Sequence, residues 1–207
     1  MIILFSMANK EYITKDLSLE HIDRISEIWL NDLPYNFKSI IGNKIIKSYL
    51  AKIFESKIIL KKGIFKNNWL IGFVFFGKDE IIIKELFIDN FFLIIKSFFK
   101  YIILFKFKYL VFYFNVSIFL TLNLFNKKNS MSTELLIIVI DKEFHRKNLG
   151  SKLINTSLED NYFKNFKEIK VITLKKDIKN INFYEKNNFK QFKEVYGRIF
   201  LKYDLPR

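Results

Sequence analysis

The sequence has 207 residues, half of them hydrophobic, which is enough apolar material for a sizeable core and excludes a disordered tail protein. It contains no cysteine, which excludes disulfides, cysteine-type metal sites and a thiol nucleophile and fits a reducing compartment, so we expect a cytoplasmic protein. We also expect no metal. The net charge of +14 comes mainly from lysines spread along the chain, whereas a nucleic-acid surface concentrates its cations on one face, so we expect no nucleic-acid partner.

The first part of the chain predicts one strand followed by a helix. Residues 1–5 are apolar but lack a basic segment and a cleavage site, so we expect no signal peptide and a start at Met1 or Met7. Tyr12 to Thr14 predicts a strand, and residues 16–19 are typical of a helix start. Apolar residues then recur at helical spacing, at Leu19, Ile22, Ile25, Ile28 and Trp29.

A proline separates this helix from a second one. Leu33-Pro34 ends the first pattern, and the second helical pattern runs from Lys44 to Ile53. Tyr35, Asn36 and Phe37 are then expected in the connecting loop, where contacts to a substrate are commonly found.

Two antiparallel strands are expected next, at residues 58–60 and 70–76, with a turn at residues 66–68. The following segment, residues 85–128, is the most hydrophobic part of the chain. A membrane span needs about 20 consecutive apolar residues, but lysines interrupt the first half at helical spacing and two asparagines interrupt the second. We expect amphipathic helices packed against the sheet; the alternative is a helix pair on a membrane surface, through residues 91–125.

Residues 134–158 predict a strand, a basic loop and a helix. Leu135 to Ile140 is an unbroken aliphatic run, which is typical of a strand buried on both faces. The loop at residues 144–151 carries three groups that can be cationic and one glycine, and the helix is expected over residues 149–161. Because a helix start has unpaired N–H groups and the positive end of the helix dipole, this arrangement predicts a phosphate or pyrophosphate site.

The last part of the chain predicts alternating strands and a helix. Val171 to Leu174 is a short β-branched strand, and the sequence DIKNINFYEKNNF follows at residues 177–189. Two closing strands are expected at residues 191–194 and 198–203, around a turn at residues 196–197.

Two of these stretches resemble motifs of the GNAT-family N-acetyltransferases. HRKNLGSKL is similar to motif A, with His145, Asn148 and Gly150 at the positions usually held by Gln or Arg, by Gly, and by Gly or Ala. Asn tolerates positive φ, so Asn148 is a reasonable substitute for the first glycine, and Arg146 is an alternative source of the fixed charge. FYEKNNF is similar to motif B, in which Asp177 replaces the family's Asn.

The resemblance implies a fold, which we expect as one domain over residues 1–207. This is an α/β (α+β) fold with a mixed, mostly antiparallel sheet flanked by helices and a parallel strand pair splayed around an acetyl-coenzyme A site. The hydrophobic segment at about residues 85–128 would be its variable part. The oligomeric state cannot be read from the sequence.

The resemblance also implies direct transfer of an acetyl group from acetyl-coenzyme A, used as co-substrate, to an amine. Tyr184 is the expected general acid at the thiolate, with a structural buried tyrosine as the alternative. Glu134 is the expected general base, with an exposed strand-end carboxylate as the alternative. The residues expected to bind the coenzyme are Ile138, Val139, Ile140, His145, Arg146, Lys147, Asn148, Leu149, Gly150, Ser151, Asp177, Asn180, Asn182 and Tyr184.

Within this set, the pantetheine arm is expected to take backbone bonds from Ile138 and Ile140. Because a carboxylate at Asp177 has no amide donor, Asn180 or Asn182 would replace it. The acceptor is expected to be a primary amine of a small molecule, such as an amino sugar or a sugar nucleotide. Two alternatives remain open: a coenzyme A-binding relative without catalysis, and an acyltransferase that associates with a membrane surface.

Overall fold

The structure is a computed structural model that describes residues 11–32, 35–89 and 131–206. The helices and strands within these ranges are β1 (Tyr12–Asp16), α1 (Ile22–Asp32), α2 (Tyr35–Glu55), β2 (Leu60–Lys66), β3 (Trp69–Gly77), α3 (Glu80–Asp89), β4 (Ser132–Ile140), α4 (Leu149–Leu158), β5 (Glu168–Leu174), α5 (Ile178–Lys186), β6 (Lys190–Val195) and β7 (Arg198–Asp204).

The strands form a seven-stranded sheet in the order β1-β2-β3-β4-β5-β7-β6. Strands β4 and β5 are parallel, whereas the other neighbouring pairs are antiparallel. A parallel pair needs a crossover connection, and here the crossover contains α4. The expected fold class, with a mostly antiparallel sheet and one parallel pair flanking this helix, is confirmed.

The helices cover both faces of the sheet and bury two separate cores. On one face α4 and α5 pack against the sheet, with Leu153 and Phe189 fully buried among the side chains they contact. On the other face α1, α2 and α3 pack against the aromatic side chains of β3, including Phe73 and Phe75. Burial on both faces explains why β3 is apolar at nearly every position.

The hairpin between β2 and β3 turns at Asn67 and Asn68, which both have positive φ, of 48° and 64°. Two asparagines in this conformation are typical of a tight hairpin turn, so the expected turn is confirmed. The strand before it was expected at residues 58–60, but β2 begins at Leu60. The apolar pattern did not predict the position of β2, because this strand includes Lys62. The stem of Lys62 is largely buried, while its amine pairs with carboxylates.

Helix α2 is longer than expected and corrects the position of the loop before it. It begins at Tyr35, directly after Pro34, rather than at Lys44. Tyr35, Asn36 and Phe37 therefore lie in a helix and not in a loop. The physical reason is that a proline ends the preceding helix but is also compatible with the first turn of the next one.

The other helix boundaries are close to the expected ones. Helix α4 ends at Leu158 and a short 3-10 turn follows at Asn161–Asn165, so the expected helical span to residue 161 is wrong at its end. The start of the segment at 85–128 is the second half of α3, and the rest, including 91–125, lies outside the described residues. In the described ranges, no helix is both long and apolar enough to span a membrane.

Candidate functional site

Strands β4 and β5 pair only at their starts, which opens a gap between them. Residues 132–134 pair with residues 168–170, and the register extends no further, although the strands continue to Ile140 and Leu174. Beyond Glu134, the backbone of β4 is therefore left without a strand partner on the β5 side in this part of the structure. An extended ligand can pair with such backbone groups as an added strand would.

A β-bulge lies where the two strands part. Phe75 is opposite Ile137 and Phe76 is opposite Leu135, so Leu136 is an extra residue on β4. Two consecutive side chains, those of Leu136 and Ile137, consequently pack on the face covered by α1, α2 and α3. Because a bulge bends and twists its strand, it accounts for β4 turning away from β5.

Glu134 is located at the end of this paired segment. It pairs with Gly77 of β3 on one side and with Lys170 of β5 on the other. Its side chain is half-buried and makes no hydrogen bond within the described residues. The alternative of an exposed strand-end carboxylate is therefore wrong.

The surroundings of Glu134 raise the pKa of its carboxyl to about 7. Burial is the largest cause, and the negative charges of Asp79 and Glu80 add to it, while Lys78 and Lys170 act in the opposite direction. A carboxyl with a pKa near neutrality can both accept and release a proton at physiological pH. This is the property that a general base requires.

The sequence did not identify the carboxylates beside Glu134. Asp79 lies two residues beyond the end of β3 and accepts a hydrogen bond of 2.5 Å from the Tyr49 hydroxyl. Burial raises the pKa of Asp79, and burial followed by the charge of Asp79 raises the pKa of Tyr49. Helix α2 is thus joined to the acidic end of the cleft. The carboxylate pair Asp79-Glu80, separated from a buried strand only by Lys78, was the available signal.

The loop after β4 is basic, exposed and partly left-handed. Arg146 and Asn148 have positive φ, of 62° and 57°, so the conformation expected of Asn148 is observed. The side chains of His145, Arg146 and Lys147 are exposed. Consecutive residues with alternating backbone handedness turn their N–H groups toward a common concave side, which favours an anion.

Helix α4 begins at the end of this loop, with Leu149 and Ser151 buried and Gly150 half-buried. A Cβ atom on Gly150 would lie 3.0 Å from the ring of Phe183 on α5, so the glycine permits close packing of the two helices. Lys186 of α5 reaches back toward the loop, with its amine 3.4 Å from the side-chain oxygen of Asn148. Lys186 lies within the FYEKNNF stretch, but its approach to the loop was not predicted from the sequence.

The strand residues expected along the pantetheine arm are at the edge of the gap. Ile138 and Ile140 are half-buried, and Val139 is buried against the opposite face. The carbonyl oxygen of Ile140 accepts a hydrogen bond of 2.7 Å from Nε2 of His145. His145 therefore stabilises the start of the loop, and Ile138 is left as the more open backbone position.

Tyr184 is on α5 and is 8% exposed, with its ring between those of Phe183 and Phe189. Burial, followed by the charge of Asp177, raises the pKa of its hydroxyl above the usual range, so the phenol keeps its proton. Its hydroxyl makes no hydrogen bond with another described residue. No hydrogen bond joins it to Glu134 in the described structure.

Asp177 caps the N-terminus of α5. Its carboxylate accepts hydrogen bonds from the backbone N–H and the side-chain amide of Asn180, at 3.4 and 2.8 Å. The side chain of Asn180 is consequently engaged by Asp177. Of the two expected amide donors, Asn182 is exposed and has no such partner in the described residues.

These features fit coenzyme A as a ligand. The gap beside β4 suits an extended amide-containing arm, and the left-handed loop and start of α4 suit a pyrophosphate. Phe183 fills the space beside Gly150, which fixes the start of α4. No group of three or more potential metal ligands occurs in the portion that the structure describes.

Comparisons with known proteins match at the level of structure. No family model and no curated protein sequence matches the chain. The PaiA N-acetyltransferase of Thermoplasma acidophilum, solved with coenzyme A, is 15% identical over 93% of this chain and 98% of its own, with a TM-score of 0.56. The ribosomal-protein-S18-alanine N-acetyltransferase of Escherichia coli is 10% identical over 95% of each chain, with a TM-score of 0.57.

A third match is a spermidine N-acetyltransferase chimera of Vibrio cholerae SpeG and hSSAT. It is 13% identical over 94% of this chain and 96% of its own, with a TM-score of 0.58. At these identities the likeness establishes the fold alone. The chain has the fold of the GNAT acetyltransferases, as the two sequence motifs predicted.

Proposed function

We propose that this chain with a GNAT fold is an acetyl-coenzyme A-dependent N-acetyltransferase acting on a primary amine of a small molecule. The observation that carries the proposal is Glu134, whose pKa is raised to about 7 at the point where β4 and β5 part. The fold supports it, because acetyltransferases share it and one of them was solved with coenzyme A.

Coenzyme A would bind along the gap and over the basic loop. Backbone groups of β4, chiefly at Ile138, would pair with the amides of the pantetheine arm. The N–H groups between His145 and Ser151 would hold the pyrophosphate, with Arg146 and Lys186 adding positive charge. This placement puts the thioester toward the Glu134 end of the strand.

The reaction needs three proton transfers. Glu134 takes one proton from the ammonium group of the acceptor, which leaves a nucleophilic amine. The amine nitrogen attacks the thioester carbon, the C–S bond breaks and the acetyl group stays on nitrogen. Tyr184 gives its proton to the departing sulfur and regains one from the acylated nitrogen, so one proton is released overall through Glu134.

The charges near Glu134 bear on the acceptor. Asp79 and Glu80 add negative charge at this end of the cleft, which favours an acceptor that arrives as a cation. We propose small amines as the class, with amino sugars and sugar nucleotides as the first candidates to screen. Amines with a second positive charge form a useful comparison, because the carboxylates of Asp79 and Glu80 would attract them more strongly.

The first experiment measures acetyl-coenzyme A binding by calorimetry. Asn148→Glu places a negative charge in the loop, and Asn165→Glu is its matched control, because Asn165 is also exposed but lies near Met131, at the opposite end of β4 from the loop. We expect wild type and Asn165→Glu to bind and Asn148→Glu to lose binding. Absence of binding by the folded wild-type chain would refute the proposal.

A thiol-release assay over an amine panel then tests catalysis. Release of coenzyme A with an amine, abolished in Glu134→Gln while binding persists, would support an enzyme. Binding without turnover of any amine would instead support the coenzyme A-binding relative without catalysis. Co-sedimentation of the full chain with lipid vesicles would support the membrane-surface alternative.

A further inference from the structure

We infer that Arg24 of α1 is a positioning residue that fixes the loop over which coenzyme A binds, acting through Asp141. The inference extends the proposed function, because it concerns how the same site is held in place. Arg24 is far from this loop in the sequence, and neither motif includes it. Its contacts in the folded chain are what connect it to the site.

The guanidinium group of Arg24 makes hydrogen bonds in three directions. One terminal nitrogen donates to the Asp141 carboxylate at 2.5 Å, and Nε donates to the carbonyl oxygen of Leu70 at 3.1 Å. The other terminal nitrogen donates to Glu27 at 2.8 Å. The group also lies over the ring of Trp69, 4.8 Å from its centroid. The orientation of the guanidinium is therefore fixed on several sides.

This use of the side chain requires an arginine. A lysine provides one compact charge, whereas the planar guanidinium can donate in several fixed directions and stack on a ring. The chain has 35 lysines and arginines, and only residues 24, 146, 198 and 207 are arginine. In a chain with this bias toward lysine, an arginine with three hydrogen-bonded partners serves a specific geometric role.

Asp141 is the residue at which the loop begins. Its N–H donates to the carbonyl oxygen of Ile71 at 2.8 Å, which extends the pairing of β4 with β3 by one position. Its carboxylate also accepts from the N–H of Glu143 at 3.3 Å, and its carbonyl oxygen accepts from the N–H of Phe144 at 2.8 Å. The backbone and the side chain of Asp141 together set the direction of the first turn.

The contact between Arg24 and Asp141 is largely shielded from water. The side chains are 18% and 17% exposed, so the attraction is screened less than that of a surface pair. Removing Arg24 would leave Asp141 partly buried and without its cation, which is unfavourable. The first turn of the loop would then sample other conformations.

A change in the first turn of the loop would also alter the coenzyme site, because the loop is short. Four residues after Asp141, the ring of His145 bonds to the carbonyl oxygen of Ile140, and the buried Leu149 fixes the far end of the loop. The N–H groups between these points hold a ligand well only if they are oriented in advance. Arg24 thus ties α1, on one face of the sheet, to the anion-binding loop that leads into α4 on the other.

The test compares this ion pair with a similar one elsewhere. The variants are Arg24→Gln, Arg24→Lys, Asp141→Asn and the double variant Arg24→Gln/Asp141→Asn. The control is Lys62→Gln, because Lys62 pairs with Asp160 at 2.7 Å, with side-chain exposures of 14% and 26%, away from the loop. Coenzyme A dissociation constants from calorimetry are measured beside urea unfolding and amide hydrogen exchange of residues 142–148 in the ligand-free protein.

We expect Arg24→Gln to raise the dissociation constant about fivefold, the size of effect typical for one such pair. Asp141→Asn should give a similar increase, the double variant no further increase, and Arg24→Lys a smaller one. Exchange of the loop amides should be faster in Arg24→Gln. Lys62→Gln should change stability without changing the dissociation constant or the exchange of the loop.

The outcomes separate this inference from the proposed function. If wild type does not bind coenzyme A but Arg24→Gln speeds exchange of the loop, the proposed function fails and the positioning role stands. If wild type binds and Arg24→Gln changes neither binding nor exchange, the positioning role is overturned. An equal loss of binding in Lys62→Gln would also overturn it, by showing an effect of stability alone. Arg24→Lys and Asp141→Asn keep the test valid if Arg24→Gln does not fold.

Discussion

The two ends of the cleft beside β4 differ in both charge and exposure. At one end, Glu134 is half-buried and lies near Asp79 and Glu80. At the other end, Arg146 and Lys147 are exposed on a left-handed loop. Burial raises the pKa of Glu134 at the first end toward neutrality, whereas the cations of the second end are surrounded by water.

This difference indicates what each end can do. A carboxyl near its pKa can move a proton, so the buried end suits chemistry. A set of exposed cations and oriented N–H groups can hold an anion, so the other end suits binding.

Replacement of Glu134 should have the largest effect. Glu134→Gln removes the base, and we expect kcat to fall roughly a hundredfold or more, while coenzyme A binding stays unchanged. In wild type, kcat/KM should rise as pH increases through about 7, where Glu134 loses its proton, and this rise should disappear in the variant. A lost affinity for coenzyme A in Glu134→Gln would contradict the separation of the two ends.

The same carboxyl provides a test that needs no substrate. Glu134 keeps its proton in the folded state up to a pH of about 7 but releases it near 4.5 when unfolded. Between these values the folded state binds more protons, so the free energy of unfolding should fall as pH rises. Urea unfolding across this range should show a smaller fall in Glu134→Gln, and equal pH dependence would contradict the raised pKa.

Replacement of Gly150 by a larger residue should have the next largest effect. Gly150→Val brings side-chain atoms against the ring of Phe183, since even a Cβ would be 3.0 Å away. We expect a loss of about 2 kcal/mol in the free energy of unfolding, typical of overpacking, together with weaker coenzyme A binding. Adding Phe183→Leu should recover part of the stability. No recovery would show that Phe183 is not the cause.

Local features of the binding end could be predicted from the sequence, because its residues are consecutive. The strand, the loop and α4 follow one another, and the tolerance of asparagine for positive φ predicted the conformation of Asn148. The acidic end required the register of β3 with β4, which places Gly77 opposite Glu134 and brings Asp79 close. A long-range register is not visible in a single sequence, and the ion pair of Arg24 and Asp141 is hidden for the same reason.

Neighbouring charges should shift the pH profile by a smaller amount. Asp79→Asn removes a negative charge near Glu134 but can still accept the hydrogen bond from Tyr49, so the rise in kcat/KM should move to lower pH. Lys170→Met removes a positive charge and should move it to higher pH. These opposite directions distinguish electrostatics from general damage. Shifts in the same direction in both variants would indicate general damage, and no shift in either would mean that burial alone controls the carboxyl.

The smallest effect is expected at the exposed end. Lys186→Gln removes a cation 3.4 Å from the side-chain oxygen of Asn148, and we expect about a twofold weaker binding of coenzyme A at low salt. Because the end is exposed, added salt should reduce the difference between wild type and variant. Lys190→Gln, on the exposed strand β6, is the control that should change nothing. A difference that persists at high salt would mean that bound coenzyme A shields Lys186 from water, and the binding end would then resemble the buried end more than its open surface indicates.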